Sequence, residues 1–239
     1  MKKNNKLLLS IIIPCFNEAQ TILTVLEKLK AEELAKTEII IVDDGSYDQT
    51  KDLLNKNKKL YTKLIKHQHN LGKGAAVKSG IAQANGEFIL IQDADLEYSP
   101  EDIPKLLAPV LTADADVVYG SRFKGTGPHR IIYFTHYLAN HLITFLCNTV
   151  TNLNFTDIET GYKLIRRSLL ETIILKETSF GIEPELTIKI GRLQPKTFEV
   201  GISYNGRSYQ EGKKIGFPDF LRALWVIFFY GLKIDTIVR

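Results

Sequence analysis

Three carboxylates stand at alternate positions in "FILIQDADLE": Asp93, Asp95 and Glu97 follow directly on the apolar run Phe88-Ile89-Leu90-Ile91. Side chains two apart on an extended strand share a face, so the spacing predicts three carboxylates converging at one side of a strand end. Left alone they repel one another, and the arrangement calls for a cation. Mg2+ and Mn2+ are hard cations that take oxygen ligands, and Mg2+ typically combines one or two carboxylates with substrate phosphates. The chemistry expected of Asp93, Asp95 and Glu97 is to hold such an ion, which neutralises a diphosphate as it leaves.

Other candidate chemistry is thinner. "NLGKGAAV" offers Gly72-Lys73-Gly74 as a phosphate cradle, but no Ser or Thr follows in the Walker pattern. Val77 also occupies the third glycine position of a Gly-x-Gly-x-x-Gly fingerprint, so a helix start beside the site is the preferred reading. The five histidines form neither a metalloprotease pair nor a Ser/His/Asp set, and His129, next to Arg130, reads as a surface-loop residue. Cys15 and Cys147 lie far apart with no Cys-x-x-Cys pair, which argues against a disulfide framework or a zinc site and points to a reducing cytoplasm.

The elements that must position these residues alternate in type. "LLLSIIIPCF" (7–16), "TEIIIVDDGS" (37–46), "GEFILIQDAD" (86–95) and "ADVVYGSRF" (115–123) read as buried strands, with "YTKLIKHQ" (61–68) a shorter one. Between them, 17–34, 47–60, 72–85 and 99–112 read as helices, the last opening with Ser99 as N-cap and Pro100 at its first position. Alternation of this kind implies an α/β fold, a mostly parallel sheet with helices on both faces. Ligands in such folds bind at the carboxyl ends of the strands, where the sequence places Asn17-Glu18, Asp43-Asp44 and Asp93-Ala94-Asp95. Three acidic strand ends in one sheet point to one shared site. The apolar run after Lys2, Lys3 and Lys6 has no small-residue cleavage site and reads as strand, not signal peptide.

The 239 residues, 44% apolar and 24% charged, suit a globular chain read as one domain over 1–239. Its halves differ. Residues 1–120 hold 15 Lys, no Arg and 17 acids, while 121–239 hold 8 Lys, 8 Arg and 10 acids, so the net charges are −2 and +6. Arginine suits bidentate phosphate contact, and the second half is read either as built to meet phosphate or as solvated surface of drifting composition. The basic residues form no dense tract and no RNA or DNA motif occurs, so nucleic acid is not an expected partner. Residues 131–156 carry no formal charge, and polar His136, Asn140, Thr144 and Asn148 recur every fourth position against a wide apolar face. A second apolar helix, 220–234, carries Trp225, Phe228, Phe229 and Tyr230 between Arg222 and Lys233. Neither reads as a spanning helix; they suit a membrane interface, the core, or contact with an oligomer or membrane-protein partner.

"SIIIPCFNE", "IIIVDDGSYDQT", "NLGKGAAVKSGIAQANG" and "ILIQDADLEYSPEDI" together resemble the nucleotide-sugar-binding half of family 2 glycosyltransferases, which have the GT-A (Rossmann-like) fold. "YGSRFKG", "TDIETGYKLIRRSLL", "FGIEPELTIKI" and "ISYNGRSYQEGKKIGFPDF" are similar to the synthases of that family that load a hexose onto a polyprenyl or dolichyl phosphate. The resemblance implies a nucleotide-sugar-binding half over 1–120 and an acceptor- and membrane-facing half over 121–239, with amphipathic C-terminal helices. It implies that Pro14, Phe16, Glu18 and Asp44 line the pocket for base and ribose, that Asp93 and Ala94 sit at ribose and diphosphate, and that Asp95 and Glu97 hold the metal. Arg122 is implied at the acceptor phosphate, with Arg130 as a second candidate, and Arg207 and Lys213 as a clamp on the donor diphosphate. Asp157, the acid before the Thr-Gly pair in "DIETG", is the candidate to orient the acceptor or take a residual proton; the alternative is a loop Asp that caps or turns. Many such synthases carry a long transmembrane tail; this chain resembles the short form without one.

The function expected is an inverting transfer of mannose or glucose from a GDP- or UDP-hexose to a polyprenyl phosphate, with Mg2+ or Mn2+, at the cytoplasmic membrane face. A phosphate monoester is largely dianionic near neutrality, so such an acceptor needs neutralisation and in-line positioning more than a base. Two alternatives stand beside it. A glycan or protein hydroxyl as acceptor requires a general base, with Asp157 or Glu183 essential; a non-catalytic nucleotide-sugar-binding subunit binds donor without turnover.

Overall fold

Among the described residues, seven strands and eight α-helices run in the order β1 (Leu9–Cys15), α1 (Ile22–Ala31), β2 (Thr37–Asp43), α2 (Thr50–Lys56), β3 (Lys63–Lys66), α3 (Lys73–Ile81), β4 (Phe88–Ile91), α4 (Ile103–Ala113), β5 (Val117–Ser121), α5 (Phe134–Thr151), β6 (Lys163–Arg166), α6 (Arg167–Thr172), α7 (Ile182–Gly191), β7 (Thr197–Gly201) and α8 (Phe217–Leu232). This is a computed structural model, and it describes residues 8–125, 130–131, 133–208 and 216–232. The strands form one sheet in the order β3-β2-β1-β4-β6-β5-β7. All neighbours are parallel except β6, which runs antiparallel between β4 and β5.

A strand covered on both faces can be apolar at every position, and β1 shows why its run has no alternation. Leu9, Ile11 and Ile13 enter a core under α1, α2 and α4. Ile12 enters a second core on the opposite face, built with α3, α5, α7 and α8. All four side chains are fully buried. In register, Ile12 lies beside Ile40 of β2 and Ile91 of β4, which brings the carboxyl ends of the three strands together as the sequence implied.

Two expectations are corrected here. The carboxylates Asp93, Asp95 and Glu97 do not occupy alternate positions of a strand, because β4 ends at Ile91. They sit on the turn that follows, where Leu96 takes φ +61° and the Asp95 Oδ1 accepts a hydrogen bond from the Glu97 amide at 3.2 Å. A carboxylate capping the backbone two residues on is a standard device of such turns, and it brings the acids together without a pleat. Ser99 has extended backbone ahead of Pro100 as expected, but its side chain caps nothing, and a 3-10 turn over Pro100–Asp102 precedes α4.

Besides its buried Ile143 and Cys147, α5 turns polar residues inward and large apolar ones outward. Asn140 and Thr144 are buried, whereas Phe134, Leu138, Leu142 and Phe145 are 74%, 58%, 43% and 63% exposed. The polar stripe faces inward to satisfy loop backbone: Asn148 exchanges hydrogen bonds with Phe155, and the Thr144 hydroxyl accepts from the Ile158 amide. On α8 a second apolar stripe, Phe217, Leu221, Trp225, Phe228 and Leu232, is also exposed. The two helices pack on one another, with Gly231 close against Val150. Among the described residues no helix is long and apolar enough to cross a membrane.

Candidate active site

The carboxyl edge of the sheet opens into a cavity of about 270 Å3, lined by Pro14 at the end of β1 and Phe16 and Glu18 just after it, by Asp44 just after β2, and from the turn after β4 by Asp93, Ala94, Asp95 and Glu97. These are the nucleotide-sugar and metal candidates of the first half, and the fold brings all of them to one place. Asp44 is buried and its carboxylate is already engaged: it accepts from the amides of Leu71 and Gly72 at 2.9 and 2.8 Å and lies 2.6 Å from the His67 Nδ1. It thereby fixes the loop into α3. Gly72 at φ +98° is required there, since a Cβ would lie 2.3 Å from the Thr178 carbonyl oxygen.

Arg207 reaches into the acids from the segment after β7. Its Nη2 lies 2.6 Å from the Asp95 Oδ2, its amide donates to the Glu97 Oε1 at 2.8 Å, and its Nη1 is 3.4 Å from the Glu18 Oε2. Burial, and then the charges of Asp93 and Glu97, push the Asp95 carboxyl up to about 7 despite the guanidinium beside it. The cluster of Glu18, Asp93, Asp95 and Glu97 is met by Arg207 and, at Asp93, by Lys73. Its hard oxygen donors fit a divalent cation of the Mg2+ class. Among the described residues no three His, Cys, Asp or Glu side chains are arranged to enclose an ion by themselves, so substrate oxygens have to complete any such site. Lys213 lies outside the described residues.

Of the remaining lining, the sequence offered Glu183 only as an alternative base and Lys73 only within a possible phosphate cradle. Lys73, in the first turn of α3, lies 2.9 Å from the Asp93 Oδ1 and 3.0 Å from the Glu183 Oε1. Burial alone favours loss of its proton, but the two carboxylates outweigh that and hold the ammonium firmly. Glu183 also pairs with the fully buried Lys163, which in turn donates to the Thr160 carbonyl. Burial would raise Glu183, yet Lys163 and Lys73 keep it below the usual carboxylate range. Beside them Glu159 lines the same cavity, and its Oε1 is buried without a hydrogen-bond partner among the described residues. Burial and the Glu183 charge push it up to about 7. Gly161 two residues on lets the backbone approach Asp93: a Cβ there would sit 2.3 Å from the Asp93 Oδ2 and displace that carboxylate.

Arg122 closes the other side. Its Nε and Nη2 donate to the Asp157 carboxylate at 2.7 Å each, its amide adds a bond at 3.1 Å, and the Asn140 Nδ2 donates at 3.1 Å. Asp157 is fully buried and is not part of the cavity wall. Burial would raise it, but Arg122 and these hydrogen bonds hold it below the usual carboxylate range. Asp157, the expected acceptor-orienting acid, thus faces the Arg122 guanidinium, which it holds in place, and not the cavity. The Arg122 guanidinium also lies 5.1 Å from the Tyr204 ring centroid and 5.8 Å from that of Phe123. Arg130 is exposed; it lines a neighbouring cavity that shares Glu97, Tyr98 and Tyr204 with the first, and its amide donates to the Tyr204 carbonyl at 3.3 Å.

Of the residues missed, Lys73 was visible in "NLGKG" but read as a helix start, and Glu159 stood inside the quoted "DIETG". Tyr98 and Tyr204 carried no spacing signal. The Tyr98 hydroxyl accepts from the Gly161 amide, and the Tyr204 hydroxyl donates to Glu97, both at 2.9 Å.

A mixed sheet with acidic loops gathered at its carboxyl edge defines a GT-A-type protein. Its fold matches glucosyl-3-phosphoglycerate synthase from Mycobacterium tuberculosis, solved with Mn2+, UDP and phosphoglyceric acid, at a TM-score of 0.73 and 20% identity over 95% of this chain and 80% of that one. The sequence profile of glycosyl transferase family 2 matches residues 10–174, and the chain belongs to that family; it is a glycosyltransferase. An uncharacterized protein of Methanocaldococcus jannaschii is 30% identical over 218 residues, 85% of this chain and 93% of the relative. Dolichol-phosphate mannosyltransferase of Pyrococcus furiosus is 28% identical over 238 residues, which span 96% of this chain but 66% of that protein.

Proposed function

We propose that this protein transfers a hexose, with inversion, from a UDP- or GDP-sugar to a polyprenyl phosphate at the cytoplasmic face of a membrane. The observation that carries this reading is an aromatic track out of the cleft. Arg122 contacts Phe123, the Phe123 ring is 5.5 Å from Tyr137, and Tyr137 stacks 6.4 Å from the exposed Phe134 of α5. A phosphate at Arg122 with a hydrocarbon tail along that track ends on the outward apolar stripe of α5. Exposed apolar surface of this extent marks a contact surface; here the contact is lipid.

In this reading Pro14, Phe16 and Glu18 hold the base and ribose, while Asp44 fixes the loop that closes the pocket. Asp93 and Ala94 lie at ribose and diphosphate. Asp95 and Glu97 hold Mg2+ or Mn2+, which neutralises the leaving diphosphate. Arg207 swings from the acids to that diphosphate, and Lys213 joins it. Arg122, held in aim by Asp157, neutralises and orients the acceptor phosphate toward the anomeric carbon. Two considerations support a phosphate acceptor over a hydroxyl. Asp157 and Glu183, the bases a hydroxyl would need, are both ion-paired and depressed in proton affinity. The Pyrococcus relative is named for a dolichol phosphate acceptor. The metal assignment draws support from the Mn2+ and Mg2+ bound with UDP in the structural neighbours.

The test is transfer of label from a panel of UDP- and GDP-sugars to a short polyprenyl phosphate with Mn2+, read in the organic phase against an EDTA control. Metal-dependent labelling of the lipid is the expected result. Donor cleavage without lipid labelling would overturn the acceptor assignment.

A further inference from the structure

We infer that Glu159 is the residue that grips the donor sugar, its carboxyl accepting a hydrogen bond from a hydroxyl of the transferred hexose. The inference rests on the proposed nucleotide-sugar donor but not on the acceptor. An acceptor atom buried without a partner carries a free-energy penalty, and a ligand that supplies the missing donor removes it. Glu159 Oε1 is such an atom, in a residue that lines the cavity. Every other carboxylate described there is satisfied: Asp93 and Glu183 by Lys73, Glu18, Asp95 and Glu97 by Arg207, and Asp44 by backbone amides.

The chemistry of the neighbourhood selects the ligand. When ionised, the Glu159 carboxylate itself repels a phosphate oxygen. A cation is poorly served as well, since Lys73 and Lys163 already stand at Glu183. A neutral hydrogen-bond donor remains, and in a bound nucleotide sugar the hexose hydroxyls are such donors. Gly161 keeps backbone close against Asp93, which ties the Glu159 segment to the turn assigned to ribose and diphosphate. A site built to hydrogen-bond a hydroxyl discriminates strongly against a ligand that lacks it, so Glu159 sets sugar specificity as well as affinity.

The experiment compares binding of free UDP and GDP with binding of their hexose conjugates, by calorimetry with Mn2+, for the wild type, Glu159→Ala and Glu159→Gln. The wild type is expected to favour one sugar nucleotide over its parent diphosphate. Glu159→Ala is expected to lose that preference by roughly tenfold to a hundredfold while binding the free diphosphate normally. Glu159→Gln retains a carbonyl acceptor and keeps most of the preference. A melting temperature for Glu159→Ala at or above the wild type's confirms an intact fold, because the substitution removes an unpartnered buried group. Undiminished preference in Glu159→Ala would overturn the assignment, as would intact preference with turnover abolished, which would make Glu159 a proton acceptor. Normal donor binding with no lipid labelling would instead strike the acceptor reading and leave Glu159 in place. No binding of any nucleotide by the wild type would remove both.

Discussion

The Arg207 Nη2 stands 2.6 Å from the Asp95 Oδ2, with Glu97 and Glu18 on the same guanidinium. An arginine thus occupies the position where the proposed reaction needs a divalent ion, and the two compete for the same oxygens. Removing Arg207 leaves buried acids without their cation, which is destabilising, and a metal ion can make good the loss. Arg207→Ala is expected to melt several degrees below the wild type in EDTA and to recover in Mn2+, with a metal-induced shift larger than the wild type's. Equal instability in both conditions would show that these acids do not take a metal. Asp95→Ala is expected to abolish the metal dependence of donor binding.

Arg122 and Asp157 form a buried bidentate pair, and losing one member of such a pair typically costs about 3–5 kcal/mol. Asp157→Ala is expected to destabilise the fold by about that amount and to raise the KM for the lipid phosphate, with donor affinity unchanged. Arg122→Met combined with Asp157→Leu restores most of the stability, because no charge is left unpaired, yet transfer stays lost. Denaturant melts of the single and double variants give the coupling directly. Recovery of transfer in the double variant would remove Arg122 from the reaction.

How far these residues were legible depended on whether their signal was local. Strands β1, β2 and β4 announced themselves as apolar runs because both sheet faces are covered, and the acids at their ends followed from the chain direction. The antiparallel β6 and the short β7 did not, since "KLIR" and "TFEVG" are brief and β6 carries a lysine whose burial depends on Glu183, twenty residues away. The acid trio was found through a pleat that is not there: alternation in the sequence coincided with an Asx-type turn. Asp157 looked like a catalytic acid because its type and place suited one, and only its contacts with Arg122 and Asn140 reveal a support. Glu159 was hidden for the opposite reason, as its importance lies in a partner it lacks.

The outward stripes of α5 and α8 give a membrane prediction independent of chemistry. Phe134 and Phe228 are 74% and 69% exposed, one on each helix. Burying a phenylalanine is worth about 1.5–3 kcal/mol, so Phe134→Ser and Phe228→Ser together should weaken binding to phospholipid vesicles by more than tenfold. Free UDP or GDP affinity should not change, since neither residue lines the cleft. Co-sedimentation with vesicles decides it. Unchanged vesicle binding would assign the stripes to a protein partner or a second copy of the chain.

Glu159 also makes a prediction about pH in the absence of ligand. Its carboxyl is raised from an ordinary value of 4.5 to about 7, by burial first and then by Glu183. Between those values the unfolded chain has released this proton while the fold retains it, so the folded state binds more protons there and stability must fall as pH rises. The contribution is complete below about pH 4.5 and is lost as pH passes through about 7. Asp95 is raised in the same direction, so the wild-type curve alone does not isolate Glu159, but the difference from Glu159→Gln does. The wild type should match the variant at pH 4.5 and fall progressively below it by pH 7.5. Each kcal/mol shifts the melting temperature of a chain this size by about 2–4 °C, well within reach of scanning calorimetry. Parallel curves would mean that Glu159 is ionised in the fold, with its Oε1 supplied by a donor outside the described residues.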